Sequence, residues 1–135
     1  MHARRFKIGN LVRDKMPERI QNLGGNVTSR FLTPEDHLYH LKSKLKEEAE
    51  EVCKATTPKE LKEEIADVLE VLHALAKKHG LRFEHIENTR LQKRQERGGF
   101  KRGTFVECVE VETMDEDHPI IQYCLANPEK YPEIL

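Results

Sequence analysis

The 135-residue sequence has no tryptophan, only three cysteines and almost no net charge, with 23 Lys and Arg against 24 Asp and Glu. Cys53, Cys108 and Cys124 are odd in number and far apart, which fits neither a disulfide framework nor a CxxC zinc spacing. Reduced thiols in a cytoplasm are therefore expected. The charge balance removes the general electrostatic case for a nucleic-acid polymer or a membrane surface as partner. No apolar run approaches the ~20 residues that span a bilayer, and the basic opening MHARRFKIGNLVRDK lacks the apolar stretch of an export signal. The absence of any GxxxxGK[ST] loop excludes a P-loop enzyme, and His37 and His40, three apart, find no third zinc ligand. Apolar residues make up 37% and charged residues 35%, which is lean for a compact monomer and suits long solvated helices or burial between subunits.

The apolar residues that are present fall into helical periods. Thr33 caps a segment with Pro34 at its first position, and Leu38, Leu41, Leu45, Ala49 and Val52 follow at spacings of 3, 4, 4 and 3, predicting a helix over Pro34 to Ala55. Thr56-Thr57-Pro58 interrupts it and starts another, in which Leu61, Ile65, Val68, Leu72 and Leu75 recur until His79-Gly80 ends it. So short a connection makes the pair an antiparallel hairpin. Shorter helices are expected from Asp14 to the Gly24-Gly25 pair, over Arg82 to Arg97, and over Pro119 to Leu125. Asn26 to Leu32 and the alternating Thr104 to Glu112 read as strands.

Acidic residues cluster on this hairpin in a directional way. On ideal helices, with about 100° per residue, Glu48 and Glu51 lie about 60° and 120° to one side of their apolar stripe, and Glu64 and Asp67 about 80° and 140° to the same-signed side of theirs. Same-signed flanks of an antiparallel pair meet, so the four acids converge, within about 6 Å along the axis. Glu47 and Glu50 point away. Clustered carboxylates repel unless neutralised, and a hard divalent cation with oxygen ligands, Mg2+ or Mn2+, meets that need. Such an ion is commonly shared with substrate phosphates, so a polyphosphate substrate is expected; a merely solvated acidic face is the alternative.

The pattern Glu47-Glu48-x-x-Glu51, then Glu64-x-x-Asp67, resembles the EExxE…ExxD signature of the MazG-like all-α nucleoside triphosphate pyrophosphohydrolases. Asn10-Leu11-Val12-Arg13-Asp14-Lys15-Met16-Pro17 resembles the LVRDKIP opening of small members related to phosphoribosyl-ATP pyrophosphohydrolase, with Met16 in place of Ile. Lys93-Arg94-Gln95-Glu96-Arg97-Gly98-Gly99-Phe100 resembles their KRxxRGGF block. The resemblance covers residues 7 to 107. It implies that Glu48, Glu51, Glu64 and Asp67 hold magnesium and carry catalysis, and that Arg13, Lys15, Lys93 and Arg97 contact phosphate. By default Arg13 and Lys15 are a helix-start charge cluster, and Lys93 and Arg97 favourable charge near a helix C-terminus. Lys44, one turn before Glu48, either touches phosphate or offsets the acids. Glu47 either hydrogen-bonds behind the ligands or is solvated.

The expected fold is mainly α: an antiparallel helical hairpin plus a third helix forming a four-helix-bundle-type core, completed by oligomerisation to a homodimer or homotetramer, with short peripheral β strands. Residues 1–112 would form the pyrophosphohydrolase domain and 113–135 a C-terminal extension. The expected reaction converts a nucleoside triphosphate to its monophosphate and pyrophosphate, as in nucleotide-pool house-cleaning. Hydrolysis of phosphoribosyl-ATP, or a non-catalytic helical module on the same fold, are the alternatives.

Overall fold

A computed structural model describes residues 2–135, which divide into two compact units, one up to Arg97 and one from Gly98 onward. The first holds α1 (Met16–Asn22), α2 (Pro34–Lys54), α3 (Pro58–Lys78) and α4 (Phe83–Arg97). Both long helices begin as their sequences dictate. The Thr33 hydroxyl accepts a hydrogen bond from the Asp36 amide, and the Thr57 hydroxyl from the Glu60 amide, each at 3.2 Å, with proline opening the helix. Glu60 also reaches back to the Thr56 amide at 3.1 Å, so the connection between α2 and α3 is pinned from its own side chains.

The α3 terminus is closed by Gly80 at φ +66°. Its amide donates to Lys77 O at 3.1 Å and the Leu81 amide to Ala76 O at 2.9 Å, a double bond pattern that requires a left-handed residue. Directly beyond the turn, the His73 and Phe83 rings stack with centroids 3.6 Å apart, tying the start of α4 to α3.

Helices α2 and α3 make the one extensive helix–helix contact among the described residues, which is the expected hairpin. The buried core is small: Leu41 on α2, Val71 and Ala76 on α3. Leu61, Ile65 and Leu69, one stripe on α3, remain exposed. Helix α4 has no extensive contact with another helix, as its weak apolar periodicity allows, so within one chain it does not complete a bundle.

The two expected strands are corrected. No residue described here is in a strand, and 26–32 and 104–112 run as irregular backbone. Alternation records which side chains favour a sheet face, but a strand exists only with a hydrogen-bonding neighbour, and neither segment has one. Phe105, Val106 and Val109 are accordingly exposed.

The second unit contains α5 (Pro119–Leu125), capped by His118, whose Nδ1 accepts from the Ile120 amide at 3.2 Å. Asn127 closes its far end by donating to Tyr123 O at 2.8 Å. No helix among the described residues is long and apolar enough to cross a membrane.

Candidate active site

The hairpin presents two matching faces to one cavity of about 900 Å3. On α2 the lining residues His37, Leu41, Lys44 and Glu48 recur at 4, 3 and 4, and on α3 Asp67, Val71, Ala74 and Lys78 do the same. Because the helices are antiparallel, Glu48 and Asp67 share one end and His37 and Lys78 the other, roughly 16 Å apart at ~1.5 Å per residue. The segment from Leu11 to Met16, with Arg19, supplies another wall. The floor is apolar, and two of its residues, Leu41 and Val71, are also core residues.

At the acidic end, carboxylate oxygens of Glu48, Glu64 and Asp67 lie within 4.8 Å of one another. Two oxygens on opposite sides of a magnesium ion are about 4.2 Å apart, at ~2.1 Å per bond, so small side-chain movements suffice for all three to bind one ion. The donor set, oxygen anions only, suits Mg2+ or Mn2+. The Glu64 carboxyl is pushed above its ordinary value of 4.5, first by desolvation, then by the negative charges of Asp67, Glu51 and Glu48. Glu51 is exposed and stands outside the three-carboxylate group, acting on it through its charge.

Cations flank the acids. Arg13 Nη2 donates to Asp67 Oδ1 at 2.6 Å, and Lys44 Nζ sits 3.4 Å from Glu47 and 3.6 Å from Glu48. Lys15 lines the cavity wall, whereas Lys93 and Arg97 are exposed on α4 and outside that lining. Glu47 does have a partner: Asn10 Nδ2 donates to both of its carboxylate oxygens at 3.3 Å.

Sequence reasoning gave Asn10 no role beyond its place in the LVRDKIP-like opening, and did not single out Lys77 and Lys78. Lys78 was findable, since it lies on the same α3 face as Asp67, three turns on. Nothing local in the sequence signals that Asn10 reaches α2, a contact across 37 positions.

Such an arrangement can hold a divalent ion between carboxylates, place cations against the oxygens of an attached polyphosphate, and seat an apolar or aromatic group on the floor beyond. Neither a curated protein nor a solved structure matches the chain significantly. A family model described as phosphoribosyl-ATP pyrophosphohydrolase matches residues 12–95, which includes α1, α2, α3 and every acid of the cluster. The chain belongs to the phosphoribosyl-ATP pyrophosphohydrolase family, within the MazG-like all-α nucleoside triphosphate pyrophosphohydrolases.

Proposed function

We propose that the chain hydrolyses the anhydride between the α- and β-phosphates of a nucleoside triphosphate, releasing monophosphate and pyrophosphate, with magnesium or manganese as cofactor. The observation that carries this reading is the convergence of Glu48, Glu64 and Asp67, flanked by Lys44 and Arg13, at one end of the cavity. Held by these acids with Glu51 beside them, the ion would neutralise phosphate oxygens and make the α-phosphorus more electrophilic. Lys44, Arg13 and Lys15 bind the outer phosphates, and Leu41, Val71 and Ala74 seat the base. One acid of the cluster orients the attacking water and takes its proton; the bond from phosphorus to the bridging oxygen breaks, and pyrophosphate leaves with the electron pair. Lys93 and Arg97 are further phosphate contacts in this reading, on the strength of their match to the family's block.

A specific observation favours a second substrate on the same chemistry. Lys77 and Lys78 line the cavity at the end away from the acids, so a ligand with phosphate at both ends, such as phosphoribosyl-ATP, meets positive charge at each. The test is pyrophosphate release from canonical, deoxy and damaged nucleotides and from phosphoribosyl-ATP. Release of only single phosphate, or turnover unchanged in excess chelator, overturns the reading. A rise in KM for Lys78→Gln with phosphoribosyl-ATP but not with nucleoside triphosphates selects the second substrate.

A further inference from the structure

The segment preceding α1 crosses the acidic end of the hairpin and touches both helices there. Asn10 holds Glu47 of α2 at 3.3 Å, and three residues later Arg13 holds Asp67 of α3 at 2.6 Å. Glu47 is outside the three-carboxylate group and Asp67 is inside it. One contact therefore ties the segment down, while the other sets a guanidinium against a carboxylate that a divalent ion needs.

We propose that Arg13 is an internal counter-cation that competes with the metal for Asp67 and, once displaced, turns to the substrate's phosphate, with Asn10 and Glu47 as positioning residues that keep it within reach. This rests on the pyrophosphohydrolase reading given above. An arginine is always charged, and its planar donor fork fits carboxylate and phosphate equally, so moving from one to the other replaces like with like. Both partners of the pair are substantially exposed, with side-chain accessibilities of 58% and 40%, so the pair is weak enough to be exchanged. The consequence is cooperative binding. A polyphosphate that draws Arg13 away uncovers Asp67 for the ion, and by reciprocity the ion frees Arg13 for the polyphosphate. The chain then has low affinity for the free ion and accepts ion and nucleotide together.

The experiment uses Mn2+ alone, titrated into the full chain without nucleotide, with the free ion followed by electron paramagnetic resonance. Arg13→Gln is expected to bind Mn2+ about two- to fivefold more tightly than the parent, the range an exposed ion pair covers. Lys15→Gln removes the same charge from the same cavity wall without emptying Asp67, and is expected to change affinity less. Arg13→Lys, which keeps charge but loses the fork, falls between the parent and Arg13→Gln. Asn10→Ala loosens the tether and gives a smaller gain of the same sign. Nucleotide binding moves the opposite way, weakening in Arg13→Gln. A merely structural role for Arg13 predicts no gain in metal affinity. If Arg13→Gln binds Mn2+ no more tightly than Lys15→Gln, the counter-cation proposal fails and the pyrophosphohydrolase reading stands. If the parent binds no Mn2+, with or without nucleotide, both fail.

Discussion

Neutralising Glu48 and neutralising Glu47 should have opposite signs, although the two residues are adjacent. The Glu48 carboxylate is within 4.8 Å of two other carboxylates and 3.6 Å from the Lys44 ammonium, and its side chain is only 13% exposed. In a water-like dielectric each repulsion is about 0.9 kcal/mol and the attraction about 1.2 kcal/mol, leaving a net repulsion near 0.6 kcal/mol; at an effective dielectric of about 20 the same sum is near 2 kcal/mol. In chelator, Glu48→Gln should therefore raise stability by ~0.5–2 kcal/mol. Glu47, 45% exposed, has Lys44 and Asn10 as partners and is not in the acidic group, so Glu47→Gln should cost between zero and ~1 kcal/mol. Magnesium then reverses the ranking. At about 100 times its dissociation constant it stabilises the parent by ~2.7 kcal/mol through mass action, and Glu48→Gln by much less. Urea melts in chelator and in magnesium measure all four quantities. Destabilisation of metal-free Glu48→Gln, or a magnesium response equal to that of the parent, would falsify the metal-site geometry.

Other predictions address the assembly, the core and pH. Ile65→Asp places a charge in the exposed Leu61–Ile65–Leu69 stripe; light scattering should give a multiple of 15.8 kDa for the parent and a shift towards one chain mass for the variant, and a monomeric parent rejects the oligomer. Leu41→Ala removes a core side chain that also floors the cavity, so it should cost ~2–5 kcal/mol in chemical denaturation and raise KM as well; a loss under 1 kcal/mol contradicts its place in the core. On α4, hydrogen bonding to Arg90 holds the Glu87 carboxyl below its ordinary 4.5. A lowered folded value means that the pair's contribution is complete above the ordinary value and is lost as pH falls through the lower one. Glu87→Gln should accordingly flatten the acid limb of a helix-content titration by circular dichroism, and an unchanged limb refutes that account.

The helices were legible because their signals are local. Thr33-Pro34 and Thr57-Pro58 state where α2 and α3 begin, and the 3.6-residue period states which face turns inward. The same period placed Glu48, Glu64 and Asp67 on facing flanks. It gives the direction of a Cα–Cβ bond but not where the carboxylate beyond it ends, and Glu51, on the same flank, lies outside the group. The strands were misread because their existence depends on a neighbour that alternation at 104–112 does not encode. Asn10 and Arg13 were recognisable as a motif, but their partners at Glu47 and Asp67 lie 37 and 54 positions away, a closure set by the tertiary fold.

Leu41 and Val71 belong at once to the small core and to the cavity floor. Folding has already taken both side chains out of water, so a base resting on that floor, as proposed, would pack directly on the interior that holds the hairpin together. On the nucleotide reading proposed above, ligand and fold would then be linked through one layer: bound nucleotide should slow proteolysis of the chain in proportion to its occupancy.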